Sequence, residues 1–218
     1  MTIQDVINKR DIKFLVHFTR LENLANILTN GILPRNDLKD ELIRLFDFLW
    51  GDGDKSGKYI YNDDYRYDGK CDYSCFSIHF PNSKMFFSLR EKNKHSKWAV
   101  ICFSSDILLK YECLFYPCNA ADGSVRNKDI KLFQGADALE NMFSPEGRDD
   151  FLSDCDPTDV QAEVMIKGNI PPTYIISVII NNEQETNKYQ KLFPEFNFYF
   201  IPNGSKCFTT RKAFIFGH

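Results

Sequence analysis

No run in this sequence approaches the ~18 consecutive apolar residues that a membrane-spanning helix needs. The opening residues, Met1-Thr2-Ile3-Gln4-Asp5, lack the charged-then-apolar pattern of a signal peptide. A cytoplasmic protein with no membrane partner is therefore expected. There is no internal repeat, no low-complexity linker and no shift in composition, so residues 1–218 are expected to form one domain. The glycines at 51, 53 and 57 lack Walker spacing, which excludes a phosphate cradle of that kind. Cysteine is present in an odd number, seven, and neither Cys71/Cys75 nor Cys113/Cys118 has the two-residue gap of most zinc knuckles. Reduced, mostly buried thiols and no metal are expected. Excess positive charge is also missing. A formal charge of −3 rules out a global electrostatic grip on nucleic acid but leaves a local one open.

What is present is apolar. A hydrophobic content of 43% with 20 Phe is ample for a core and too rich for a disordered chain. Thr2–Asn8 reads as a short helix, and Lys13–Thr19, rich in β-branched and aromatic residues, as a strand. Leu21, Leu24, Ile27 and Leu28 recur at helical spacing, and Asn30-Gly31 stops that helix. A second helix is expected over Asp37–Trp50. Further strands are expected at Tyr73–Phe80, Trp98–Phe103, Cys113–Tyr116, Tyr174–Ile180 and Phe196–Ile201, and Tyr174–Phe216 as a whole reads as core strands. Between them, Lys84–Leu89, Ile107–Lys110, Lys131–Phe133 and Asp137–Phe143 read as short helices.

The stretch Asp159–Pro171 carries the chemistry. Val160, Ala162, Val164 and Ile166 alternate with Gln161, Glu163, Met165 and Lys167, the period of a half-buried strand. That spacing points Gln161 and Glu163 the same way. A carboxylate on a rigid strand can bond a ribose hydroxyl and stabilise an oxocarbenium ion. A solvent-facing Glu on an edge strand is the commoner reading of such a segment. His17-Phe18-Thr19 ends the first strand just before a helix, a place suited to phosphate or ribose hydroxyls. A lone histidine there is more often structural.

Three blocks in order resemble the DarT family of nucleic-acid ADP-ribosyltransferase toxins. The first is His17-Phe18-Thr19-Arg20-Leu21-Glu22-Asn23-Leu24, continuing through Ile27-Leu28 and Gly31-Ile32-Leu33. The second is Asp64–Gly69, then Ser74-Cys75-Phe76-Ser77-Ile78 and Phe80–Phe87. The third is Gln161-Ala162-Glu163-Val164 with Ile170-Pro171. The resemblance implies an α+β fold of the ADP-ribosyltransferase type: a split, mostly antiparallel β core flanked by helices, with NAD in the cleft. It implies Glu163 as the catalytic carboxylate and His17 as a contact to a ribose of NAD, with Thr19 and Asn23 beside it. Gln161 is expected to orient the substrate. An aromatic stacked on nicotinamide is expected among Phe76, Phe80, Phe86 and Phe87, with Phe86 taken as the cofactor-binding candidate. Arg66 is the candidate for stabilising a deprotonated acceptor, with a surface ion pair to Asp63, Asp64 or Asp68 as its equal alternative. The loop over about 144–160 would take the place of the acceptor-recognition loop.

Lys84 to Trp98 mixes cations with aromatics, a composition that holds single strands through phosphate contacts and base stacking. Lys84, Arg90, Lys92, Lys94 and Lys97 are the candidate contacts; a solvated helix or hairpin tip beside a buried Trp98 is the alternative. Lys206, Arg211 and Lys212 form a second candidate phosphate contact, with solvated lysines as the commoner case. A base inside a duplex cannot reach a cleft without being flipped out, which favours single-stranded nucleic acid as partner. The resemblance implies DNA, modified at guanine or thymine with guanine slightly ahead. RNA and a protein acceptor remain as alternatives. It also implies a toxin or phage-defence effector with a neutralising antitoxin partner.

Overall fold

The computed structural model describes residues 1–34 and 70–217. The helix expected over 37–50, the polar loop at 51–57 and Arg66 with its block lie outside the described residues. Helix α1 (Ile3–Lys9) begins on a capping box, in which Thr2 and Asp5 each bond the other's backbone N–H. Strand β1 (Phe14–Arg20) then turns sharply through a 3₁₀ turn (Leu21–Asn23) into helix α2 (Leu24–Asn30). Gly31, with φ +83°, stops α2 and lets Ile32 pair with Ile170 through two backbone bonds of 2.9 and 3.0 Å.

After residue 70 come β2 (Tyr73–Ile78), α3 (Ser83–Lys92), β3 (Trp98–Ser104), α4 (Ile107–Lys110) and β4 (Cys113–Tyr116). They are followed by α5 (Gly135–Asn141), β5 (Glu163–Lys167), β6 (Ile175–Ile180), α6 (Glu183–Leu192), β7 (Phe198–Phe200) and α7 (Arg211–Phe216). Among the described residues the strands form one seven-stranded sheet in the order β4-β5-β2-β1-β3-β6-β7. Every pairing is antiparallel except β6 with β7. No described helix is long and apolar enough to cross a membrane.

The centre of the sheet is uneven. β1 pairs with β3 along all seven of its residues, but with β2 only at Leu15↔Ile78 and Val16↔Ser77. Beyond that point β2 belongs with β5 and β4. The split core implied by the family resemblance is this early parting of β1 from β2. The main core lies on one side, with Leu15, Ile101, Phe103, Phe76, Val164 and Ile166 packed against α1, α2 and α5. Across the sheet, Val16, Val100 and Trp98 pack under α3 with Phe86, Leu89 and Phe208. A third cluster places Leu114, Tyr116 and Met165 under the segment that contains Ala120, Val125 and Phe133.

Two expectations need correcting. Residues 174–216 are not all strand: α6 starts at Asn182, whose side chain accepts from the Glu185 N–H, and α7 starts at Thr210, which accepts from the Ala213 N–H. β5 is also shorter and more deeply buried than alternation suggests. Glu163 to Ile166 are all buried, because the 117–133 segment covers the face expected to meet solvent. Residues 160–162 are not strand. Asp159 accepts from the Gln161 N–H at 2.8 Å through its side chain and from the Ala162 N–H at 3.1 Å through its carbonyl. Gln161 therefore sits in a turn, half-buried, and the same-face relation to Glu163 expected of a continuous strand does not arise.

Candidate active site

Glu163 is the first residue of β5, paired with Tyr116 at the end of β4. It is 8% exposed. Pairing and alternation put it with Met165 and Tyr116, away from Val164 and Ile166 in the main core. The chain leaving β4 turns back over it. The Ala120 N–H donates to Oε2 at 2.9 Å and the Asn119 side-chain amide to Oε1 at 3.5 Å. Asn119 is fixed in turn, since its Oδ1 accepts from the Ala121 N–H at 2.9 Å. Tyr116 stacks on Phe133 at 4.1 Å and closes the floor beside the carboxylate. The result is a carboxylate held in one orientation by backbone, in a place largely shielded from water.

His17 lies on β1 immediately after the last β1–β2 pair. Its Nδ1 is 2.9 Å from the Cys75 carbonyl oxygen, and its ring packs on Phe76 at 5.7 Å. A carbonyl only accepts, so Nδ1 carries the proton and Nε2 of the neutral ring is left as an acceptor. Burial lowers the His17 pKa from its ordinary value; the bond to Cys75 opposes this but is the smaller influence. Neutral His17 thus offers a lone pair suited to a ribose hydroxyl. His17 and Glu163 stand on strands separated by β2, and a ligand that meets both has to span the opening between β1 and β2.

Thr19 and Asn23 are buried, 1% and 4% exposed, and the Asn23 amide donates to Thr19 Oγ1 at 3.0 Å. They brace the corner between β1 and α2. Phe86 is not placed to stack on a ligand. It is 1% exposed, and its ring is taken up by Phe18 at 4.5 Å, Trp98 at 5.4 Å and Phe208 at 5.6 Å.

The basic stretch divides. Lys84, Lys92 and Lys94 are exposed on or just after α3, with Lys94 3.5 Å from Glu91. Lys97 is committed to Glu185 at 2.6 Å. Arg90 folds back over Phe86, 4.8 Å from the ring centre.

The loop preceding Glu163 is knitted by two arginines, one that sequence reasoning did not single out and one that it assigned elsewhere. Arg148 donates to the carbonyls of Asp156 at 2.7 Å and Ser153 at 2.6 Å. Arg211, 9% exposed, donates to those of Pro157 at 2.6 Å and Thr158 at 3.0 Å, which corrects its assignment as a phosphate contact. Thr158 closes the loop onto its own start through Ser144 at 2.6 Å and Met142 at 2.9 Å. Beneath lies a cavity of ≈ 490 Å³ lined by Pro117, Asn141, Glu146, Asp159 and Arg211 among others. No local signal marks these contacts, because the acceptors are main-chain oxygens up to 54 residues away in sequence.

The arrangement can hold a sugar. It has an oriented carboxylate, a neutral imidazole and a preformed loop beside the carboxylate.

Comparison with known proteins agrees. None of the curated proteins matches the chain in sequence. The chain is similar in structure to Thermus sp. 2.9 DarT in complex with NAD+, at 16% identity and TM-score 0.53, over 88% of this chain and 96% of that one. It is similarly related to Thermus sp. 2.9 DarT in complex with ADP-ribosylated ssDNA, at 16% identity and TM-score 0.51, over 88% and 95% of the two chains. At that identity the likeness speaks for the fold. Thermosipho africanus DarTG in complex with ADP-ribose aligns at 16% identity and TM-score 0.49 over 88% of this chain, which spans only 50% of that longer one. The model of the family described as "ssDNA thymidine ADP-ribosyltransferase, DarT" matches residues 16–203. That span runs from β1 past β7 and takes in both His17 and Glu163, and the chain belongs to the DarT family.

Proposed function

We propose that this protein cleaves NAD at its nicotinamide glycosidic bond and transfers ADP-ribose to a thymine base of single-stranded DNA. The observation that carries the reading is the Glu163 carboxylate at the start of β5, fixed by the Ala120 N–H. When the bond breaks, nicotinamide leaves neutral and the ribose gains positive charge. A fixed carboxylate in a water-poor site stabilises that charge without reorganising. Such a departure needs no Lewis acid, and the reading requires no metal. The His17 Nε2 accepts from a ribose hydroxyl, and Thr19 with Asn23 keeps His17 in place by bracing the corner that follows it. Gln161, half-buried in the turn before Glu163, is taken to orient the substrate. Arg66 is retained as the cation for the acceptor.

The acceptor follows from the family description, which names thymidine. Thymine thus replaces guanine as the preferred base. The loop held by Arg148 and Arg211 is the surface for that base. The whole reaction belongs to a single domain, residues 1–218, acting in the cytoplasm. A protein that modifies its own cell's DNA is toxic to it, so we read it as a toxin or phage-defence effector that requires a neutralising antitoxin.

The test is incubation with labelled NAD and mixed-sequence DNA or RNA single strands, with Glu163→Ala in parallel. Label on thymidine-containing DNA that requires intact Glu163 is expected. Label on RNA, or only on protein, would overturn the acceptor assignment, and an active Glu163→Ala would overturn the catalytic one.

A further inference from the structure

On the sheet face covered by α3 there is a second cavity, ≈ 360 Å³, lined by Phe87, Arg90, Asn93, Lys94, Trp98 and Asn203 among others. It lies over β3, three positions along the sheet from β5 and Glu163. At a spacing of about 4.8 Å per strand this is roughly 14 Å.

Two of its side chains hold donors that no described residue satisfies. Trp98 is 1% exposed, and its indole Nε1–H has no partner among the described residues. Arg90 Nε is likewise buried and unpartnered. The rest of that guanidinium reaches only Asn203 Oδ1, at 3.4 Å, and Arg90 forms no ion pair among the described residues. Next to them, Arg20 also carries a buried, unpartnered Nε while bonding Asn93 Oδ1 at 2.8 Å. A buried unmade hydrogen bond costs about 1–3 kcal/mol, more for a charged group. One such donor is unremarkable in a folded protein, but two lining one cavity, with a third beside it, ask for an acceptor. A guanidinium and an indole N–H call for an anionic oxygen, and Lys94, 3.5 Å from Glu91, which also lines the cavity, offsets that carboxylate. Burial lowers the Arg90 pKa, and the nearby Glu91 carboxylate opposes this only in part. Phe87, 54% exposed at the rim, adds a free aromatic face.

The geometry points to a phosphodiester-binding subsite in this cavity, in which Arg90 and Trp98 hold one phosphate of a single DNA strand with Lys94 at its entrance. The proposal rests on the nucleic-acid reading above and deepens it. The strand would be held on the α3 face as well as at the loop that precedes Glu163. Of the five cations expected to contact nucleic acid, Arg90 would do so at this site, whereas Lys97 is already engaged by Glu185 at 2.6 Å and Lys94 lies 3.5 Å from Glu91.

The test uses the intact protein without NAD, so that binding is read apart from transfer. The indole N–H resonance of Trp98, identified by its loss in Trp98→Phe, is followed while a short oligothymidylate or inorganic phosphate is added. The oligonucleotide is expected to shift the resonance. Arg90→Gln is expected to remove the shift, weaken binding about tenfold and lower the salt slope of affinity by about 0.7. Arg90→Lys keeps the charge and the alkyl stem on Phe86, so it controls for folding and should lose less. A shift with phosphate but not with the oligonucleotide would make this a free-anion site and overturn the assignment to nucleic acid. No shift with either would overturn the subsite altogether. If the oligonucleotide binds here but is never modified, the transferase reading fails and the subsite stands. If modification proceeds with an unchanged KM for DNA in Arg90→Gln, the subsite fails and the transferase reading stands.

Discussion

The side chain of His17 closes a gap left by the backbone of Cys75. Strands β1 and β2 part after Val16↔Ser77, and the Nδ1–H of His17 donates to the Cys75 carbonyl at 2.9 Å just past the parting. A side chain here takes a place that a ladder N–H holds elsewhere in a sheet. The same bond fixes the tautomer that leaves Nε2 available to a ligand. His17→Ala is therefore expected to weaken NAD binding about tenfold, the loss of one well-placed bond. Calorimetric titration with NAD would measure it. Unchanged affinity would confine His17 to a structural role.

Both His17 and His79 are held neutral by burial, with pKa values below the ordinary one. His79 also needs its lone pair, since Nε2 accepts from the Lys13 N–H at 2.8 Å while the ring stacks on Phe14 at 4.5 Å. With the folded pKa depressed, the unfolded chain binds more protons between the two values, and stability rises with pH there. It should be complete above about pH 6.5, the unfolded value for histidine, and fall as pH drops from there through the folded values. The lowered carboxylates Glu140, Glu112, Asp5 and Asp122 titrate further down. Tm measured between pH 7.5 and 5, by the same logic, should fall less steeply in His79→Asn, which still tolerates the positive φ of +56° at this position.

How far these features could be read beforehand depends on the range of the interaction that makes them. β1, β3 and β4 were legible because β-branched and aromatic residues act locally. The helix at Glu183–Leu192 carried a legible start too, with Asn182 three residues before Glu185, but its few apolar residues masked it. Glu163 was legible as a residue, though not its surroundings. The alternation from Val160 to Ile166 suggests a strand three residues too long, because the Asp159 turn overrides it. Phe86 shows the converse failure. Its sequence neighbourhood fits a ligand contact, and only the positions of Phe18, Trp98 and Phe208 reveal a core ring. The acceptors of His17, Arg148 and Arg211 are main-chain oxygens, and no residue type announces those.

Arg211 binds the 144–158 loop to the C-terminal helix by two charged bonds to carbonyls. Arg211→Met keeps much of the apolar volume and removes both donors. It should cost about 2 kcal/mol, a Tm decrease of roughly 4–8 °C for a chain of this size. Protease cleavage within 144–158 should accelerate while NAD affinity holds, as the proposed role of the loop on the acceptor side requires. Cleavage elsewhere instead would mean that Arg211 supports the whole fold.

Gly31 has φ +83°, and a Cβ there would press into the Ile170 carbonyl. The clash is with backbone, so no side-chain rotation relieves it. Gly31→Ala should destabilise by roughly 3 kcal/mol or more, from the strained φ plus the lost approach of Ile32 to Ile170. Chemical denaturation would show it as a lower midpoint. A change within 0.5 kcal/mol, the range of ordinary surface substitutions, would mean that the 31–32/170 bridge is dispensable.

The observed role of Glu163, acceptor of the Ala120 N–H, and its proposed role, stabiliser of ribose charge, can be separated by paired substitutions. Glu163→Gln retains a side-chain oxygen for the Ala120 amide and loses the negative charge together with the long 3.5 Å bond from Asn119. Glu163→Ala removes both and leaves the Ala120 N–H without its carboxylate partner, a cost of about 1–3 kcal/mol if the amide stays buried. If the carboxylate acts on developing charge, both variants should lose transfer by about 10²–10³ in kcat, while only Glu163→Ala should lose appreciable stability. NAD binding should persist in Glu163→Gln, since the charge it opposes exists only as the bond breaks. Activity retained in Glu163→Gln but lost in Glu163→Ala would reverse the conclusion: the residue would then serve to hold the 117–120 turn in place, and the charge on the ribose would have to be met by another group.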